Sequence, residues 1–181
     1  VEDLASGERI YSARFMGDKA YMVTFRQVDP LFVIDLKNPR APKVLGYLKV
    51  TGFSSYLQLL DENHLIGIGR DATEQGRQQG LKVSLFDVSD FENPKEVDKY
   101  VINQDEGWSS SEAEHDHKAV LLDKEKGIFV IPVSYYKNNY VNGNYEYDNW
   151  MGAYVFDVSE TRLDLRGKIS HNEKKQNEPY Y

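Results

Sequence analysis

Between Glu106 and His117 the chain sets the carboxylates Glu106, Glu112, Glu114 and Asp116 beside two imidazoles, His115 and His117. Clustered carboxylates hold Ca2+ through oxygen ligands, and mixtures of carboxylate and imidazole hold transition metals. Glu112, Glu114 and Asp116 are therefore candidate metal ligands, with Ca2+ the candidate ion. Their spacing follows neither the EF-hand loop nor the HExxH helix. The competing role is structural: Glu112 and Glu114 stay in solvent, while Asp116 and His117 lock the start of a strand. Ser109-Ser110-Ser111 lies near His115, but no G-x-S-x-G elbow accompanies it. No catalytic residue is assigned.

A second group is aromatic. Tyr135 to Trp150 reads YYKNNYVNGNYEYDNW, with Tyr135, Tyr136, Tyr140, Tyr145, Tyr147 and Trp150 interleaved with asparagines. Flat rings stack on the apolar faces of sugars or on partner side chains, and asparagine offers paired donors and acceptors. Tyr and Asn also dominate adaptable protein-binding loops. With Trp108 upstream, these rings are the candidate ligand-binding residues. Asn142-Gly143 is also a type I′ turn signal, so the segment reads equally as a long hairpin with cross-strand ring pairs.

The elements that carry these groups repeat. Leu31–Val50, Val83–Ile102 and Ala153–Ser170 each hold an apolar run ending in aspartate (Asp35, Asp87, Asp157), a polar turn and an alternating run. Upstream of each lies a pair of short runs: Ile10–Phe15 with Ala20–Phe25, Tyr56–Leu60 with Leu65–Gly69, and Lys118–Leu122 with Ile128–Ser134. Val, Ile, Tyr and Phe dominate them, and tight polar turns join them, which are strand and turn signals. No window carries a helical stripe. The unit is four strands, a to d, occurring three times: 1–50, 51–102 and 103–170, with 171–181 as a connection onward. The three aspartates recur at one structural position, so a structural role is expected, accepting backbone N–H groups of the following turn.

Four-stranded units at this period are the signature of β-propeller blades. The expected fold is all-β, a partial β-propeller of three four-stranded antiparallel blades. Phe32, Ile34, Leu85, Val155 and Phe156 are its expected core. The stretches IYSARFMGDKAYMVTFRQVDPLFVIDLKNPRAPKVLGYLKV, GFSSYLQLLDENHLIGIGRD and SEAEHDHKAVLLDKEKGIFVIPVS closely resemble bacterial and archaeal secreted proteins with a C-terminal β-propeller domain, distantly related to WD40 repeats. The resemblance runs through nearly the whole chain. It implies an extracytoplasmic, secreted or cell-surface location, and it implies a buried polar role for Asp116 and His117. It assigns no chemistry. Closed propellers have about four to eight blades, so three units read as a piece of a larger ring, or as a chain that closes with another copy. Open edges favour self-association.

Antiparallel order puts the b–c and d–a connections on one face. The long segments 70–80, 103–117 and 135–152 all fall there, and long loops are disproportionately functional. The expected function is a non-enzymatic extracytoplasmic recognition or scaffold module that binds a protein or glycan through that face. The alternatives are a propeller glycoside hydrolase or a plain spacer domain. The hydrolase would use carboxylates such as Glu114 and Asp116, held about 5–9.5 Å apart. Composition excludes other classes. Lys and Arg number 22 against 29 Asp and Glu, a net charge of −7, so the basic face of a nucleic-acid binder is missing. No cysteine is present, which removes disulfides, thiolate metal sites and cysteine nucleophiles. No apolar run reaches the roughly 18 residues of a membrane span. Neither a signal peptide nor a targeting tail is read in the 181 residues.

Overall fold

The computed structural model describes residues 7–25, 29–73, 75–102, 108–141 and 144–171, with backbone alone at 25, 29, 138–141 and 144–148. Its strands are β1 (Arg9–Met16), β2 (Lys19–Phe25), β3 (Asp29–Asp35), β4 (Lys43–Val50), β5 (Phe53–Leu59), β6 (His64–Ala72) and β7 (Gln78–Asp87). They continue with β8 (Lys95–Ile102), β9 (Trp108–Ser110), β10 (Leu121–Asp123), β11 (Ile128–Val141), β12 (Asn144–Val158) and β13 (Leu163–Ser170). The only helical pieces among the described residues are two 3₁₀ turns, Glu112–Glu114 and His117–Ala119. The fold is all-β, in three antiparallel meanders ordered β1-β2-β3-β4, β5-β6-β7-β8 and β10-β11-β12-β13.

The third sheet departs from four plain strands. Its inner position is shared: β10 pairs with the start of β11, and β9 pairs with Ser134–Tyr136 further along the same strand. The expected single strand Lys118–Leu122 is replaced by these two short strands with the 3₁₀ turns between them. Ser111 and Asp116 cap the turns and compete with the ladder for backbone N–H groups.

The sheets stack face to face, and the core lies between them. Tyr21, Val23, Leu31 and Val33 of the first sheet meet Phe53, Leu57, Leu65 and Phe86 of the second. The other face of the second sheet, with Ile66, Ile68, Leu81, Val83 and Leu85, meets Phe129, Ile131, Val133, Tyr154 and Phe156 of the third. The middle sheet is buried on both faces, so β6 and β7 are buried almost without interruption rather than in alternation, the polar residues Asp71, Lys82 and Ser84 included. Phe32 and Ile34 are buried in a smaller cluster on the far side of the first sheet. Val155 is only half-buried, unlike its expected place in the core, because it points to the outer face of the third sheet.

Candidate functional site

Each sheet can be set to one height by the residue opposite its strand-end aspartate. These are Lys19 opposite Asp35, His64 opposite Asp87 and Ile128 opposite Asp157. Measured from there, the inner strands of all three sheets break their pairing at the same level. In the first, Val23 faces Ser12 and Thr24 faces Ile10, so Tyr11 is the extra residue of a bulge. In the second, Ile68 faces Tyr56 and Gly69 faces Ser54, which makes Ser55 the extra residue. In the third, the ladder stops at Val130–Leu121 and resumes at Ser134–Ser110. Residues 111–120 loop out between. Bulges re-aim side chains, and the three interruptions converge. Tyr11, Phe53, Ser55, Arg70, Gln78, Glu114 and His115 line one cleft of about 480 Å³ at the inner edges of the three sheets.

The loop-out is fixed by short-range capping. The Ser111 hydroxyl accepts the Ala113 N–H at 3.1 Å and donates to the Pro132 carbonyl at 2.5 Å. The Glu114 carboxylate accepts the Ser111 N–H at 3.2 Å, which closes a capping box. Glu114 also takes Arg70 in a two-pronged pair, Nε to Oε1 at 2.9 Å and Nη2 to Oε2 at 3.1 Å. Arg70 Nη1 donates to the Ser109 carbonyl. The Ser109 hydroxyl accepts the Leu81 N–H at 2.8 Å and donates to the Ile102 carbonyl at 2.9 Å. This network rivets the third sheet to the second.

Glu114 was expected in solvent; it is 5% exposed. Burying a carboxylate is costly unless a partner neutralises it, and Arg70 does so from 44 residues upstream. Asp116 and His117 are the reverse case. Asp116 caps the second 3₁₀ turn through the Lys118 N–H at 2.9 Å. Asp116 and His117 are both exposed, 3.8 Å apart. The buried polar network here is instead Glu114 and Ser109 joined to Arg70 of the second sheet. Glu112 is exposed, and Glu106 lies outside the described residues. Among the described residues no three acidic or histidine side chains converge as a metal site would require. Sequence reading missed Tyr11, Phe53, Ser55, Arg70 and Gln78. The signal that was available for the loop-out is the run Ser-Glu-Ala-Glu at 111–114, a capping-box pattern.

The candidate rings divide into two sets. β11 and β12 run as one long hairpin in unbroken register from Ile128–Asp157 to Val141–Asn144. Tyr135 faces Trp150 and stacks on it, with centroids 5.6 Å apart and planes at 12°. The Trp150 ring meets Tyr154 edge-on at 5.3 Å. Burial pushes the Tyr154 hydroxyl up to about 12. Tyr135 and Trp150 thus anchor the hairpin to the core. Trp108, Tyr136 and Asn149 form a row across three strands, β9 to β11 to β12. Trp108 is 60% and Tyr136 37% exposed, and Asn149 is exposed as well. These residues with Tyr135, Trp150 and Met151 line a second cleft of about 340 Å³. Tyr140 stands opposite Tyr145, and Asn138 opposite Tyr147, as backbone positions further along the hairpin. The Asn142-Gly143 turn lies outside the described residues. Trp108 joins the two clefts, since the Arg70 guanidinium sits 4.9 Å from its ring centre.

The strand-end aspartates lie at the opposite end of the sheets. Asp35 accepts the Lys37 N–H at 3.0 Å, and Asp87 accepts the Ser89 N–H at 2.8 Å. Hydrogen bonds from Ser89, side chain then backbone, hold the Asp87 carboxyl below the usual carboxylate range. Asp157 instead pairs with Arg166, at 2.6 and 3.1 Å. The next residue in each blade closes back onto the β1–β2, β5–β6 or β10–β11 turn. Leu36 donates to Asp18, Val88 to Asn63 and Val158 to Gly127, all at 2.7–2.8 Å.

The protein-family model described as a β-propeller domain matches residues 1–181, the entire chain. The chain belongs to this β-propeller family. The propeller is 45% identical over 174 residues, 96% of its length, to an uncharacterised protein of Methanocaldococcus jannaschii. It is 47% identical over 141 residues, 78% of its length, to an uncharacterised protein of Archaeoglobus fulgidus. The propeller chain spans only 24% and 21% of those relatives.

Proposed function

We propose that this propeller is a non-enzymatic recognition module of an extracytoplasmic protein. It takes a protein or glycan partner on the face formed by the β2–β3, β6–β7 and β11–β12 connections and the β4–β5 and β8–β9 connections. The observation that carries this is the exposed row Trp108–Tyr136–Asn149, stiffened by the ladder beneath it and continuous through Trp108 with the axial cleft. Rigid rings with a polar edge supply contact area at small entropic cost. The extracytoplasmic location rests on the resemblance to secreted propeller proteins. A glycoside hydrolase needs two carboxylates facing one bond. Glu114 is engaged by Arg70 and Asp116 by a turn N–H, which favours binding over hydrolysis.

Trp108→Ala and Tyr136→Ala test the proposal. Both rings are exposed, so the unfolding midpoint should stay within a few degrees. Capture of ligands on glycan and cell-surface protein arrays should fall about tenfold or more, as for central aromatic anchors. Array profiles identical to the unmodified protein would overturn it.

A further inference from the structure

We infer that the axial cleft is a subsite for an uncharged sugar ring, a pyranose unit of a glycan. The inference deepens the recognition proposal and rests on it. Three inner strands give up regular pairing at one height, and the residues they release meet in one cavity. Equal height alone belongs to the repeat, since the outer ladders also slip together at Val33/Ile34, Leu85/Phe86 and Val155/Phe156. What is particular to the inner strands is that the released residues line a cleft.

The lining states the ligand's chemistry. Tyr11 and Phe53 form a ring pair in the lining, centroids 4.6 Å apart. Phe53 is a core residue, 6% exposed, so it backs Tyr11, whose half-buried ring is the one open to a ligand. The C–H faces of a pyranose are weakly positive and suit the negative faces of aromatic rings. The rest of the lining is Ser55, Gln78, His115 and the Arg70–Glu114 pair. Hydroxyl, carboxamide and imidazole groups both donate and accept, as sugar hydroxyls do. Three of the five guanidinium N–H donors of Arg70 are spent on Glu114 and Ser109. The charges of Arg70 and Glu114 cancel, so the cleft has no fixed charge to hold an ion. The chain's net charge of −7 also disfavours an anion. About 480 Å³ lies within the range of small-molecule sites, roughly 300–1,000 Å³.

The test is titration of the protein with glucose, galactose, mannose and N-acetylglucosamine, and with glucuronate as the charged control, followed by amide chemical shifts. At least one neutral sugar should move the Gln78 side-chain amide and the backbone amides of Ser55 and His115. Gln78 and His115 are exposed, so the double variant Gln78→Ala/His115→Ala keeps the fold. Its affinity for that sugar should drop about tenfold, the loss of one or two neutral hydrogen bonds. Lys124→Ala, in the exposed turn at the far end of the third sheet, should leave the monosaccharide titration unchanged. Shifts confined to Trp108 and Tyr136 would overturn the inference while keeping the recognition proposal. A response to glucuronate alone, no response to any sugar, or an unaltered double variant would also overturn it. Loss of array binding in Trp108→Ala and Tyr136→Ala is read separately, so failure of the subsite is told apart from failure of the recognition proposal.

Discussion

At the scale of single residues, Glu114 and Arg70 matter most. Neither is a surface charge, and each is satisfied mainly by the other. Replacing Glu114 with Ala strands the Arg70 guanidinium between two sheets and leaves the Ser111 N–H without its carboxylate. Breaking a buried pair from one side costs about 3–5 kcal/mol. Glu114→Ala should lower the urea midpoint accordingly, and Glu114→Gln, which keeps an acceptor, by less. A loss under about 1 kcal/mol would put Glu114 among ordinary surface ion pairs. The pair was not legible in the sequence, because its halves lie in different repeats and only folding brings them together. The rings were legible as types. The division into exposed Trp108 and Tyr136 and anchoring Tyr135 and Trp150 was not, because it depends on strand register.

Among the elements, the strands, their turns and the long hairpin could be read directly. Alternating tyrosines around Asn-Gly foretold an extended ladder, and β11 and β12 form it. The bulges could not be read. A one-residue slip leaves no mark in IYSARFM or FSSYLQL, and the pairing partner decides where it falls. What makes room for the second bulge is Gly69. A Cβ there would sit 1.9 Å from the Phe53 carbonyl oxygen and 2.8 Å from the Ser54 Cα. Gly69→Ala must therefore push β5 off β6. Overpacking of this kind costs about 1–3 kcal/mol or more. The expected result is a lower unfolding midpoint together with altered amide shifts at Tyr11 and Ser55. Unchanged stability and shifts would show that the bulged strand has slack. The 3₁₀ turns replaced an expected strand because Ser111, Glu114 and Asp116 satisfy backbone groups locally that a ladder would otherwise satisfy.

On the scale of the whole molecule, the three sheets give two internal layers and two outer faces that carry exposed apolar side chains among the described residues. Leu121, Met151 and Ile169 are exposed on the third sheet, and Ile10 and Phe15 on the first. The repeat period made this architecture legible, since each blade must bury both faces against neighbours. The partner is not encoded in the period. It depends on which end of the stack carries the rings and the released inner-strand residues. Here that is the end bearing the β6–β7 and β11–β12 connections, while the opposite end carries the repeated aspartate turns. The most direct test sets these ends against each other. A diazirine-bearing residue is placed at position 149, beside Trp108 and Tyr136, or at position 124, in the exposed β10–β11 turn. Each protein is irradiated with the envelope fraction of its own cells. Adducts from position 149 and none from position 124 are expected. Adducts from position 124 alone, or equal yields from both, would contradict a one-sided recognition face.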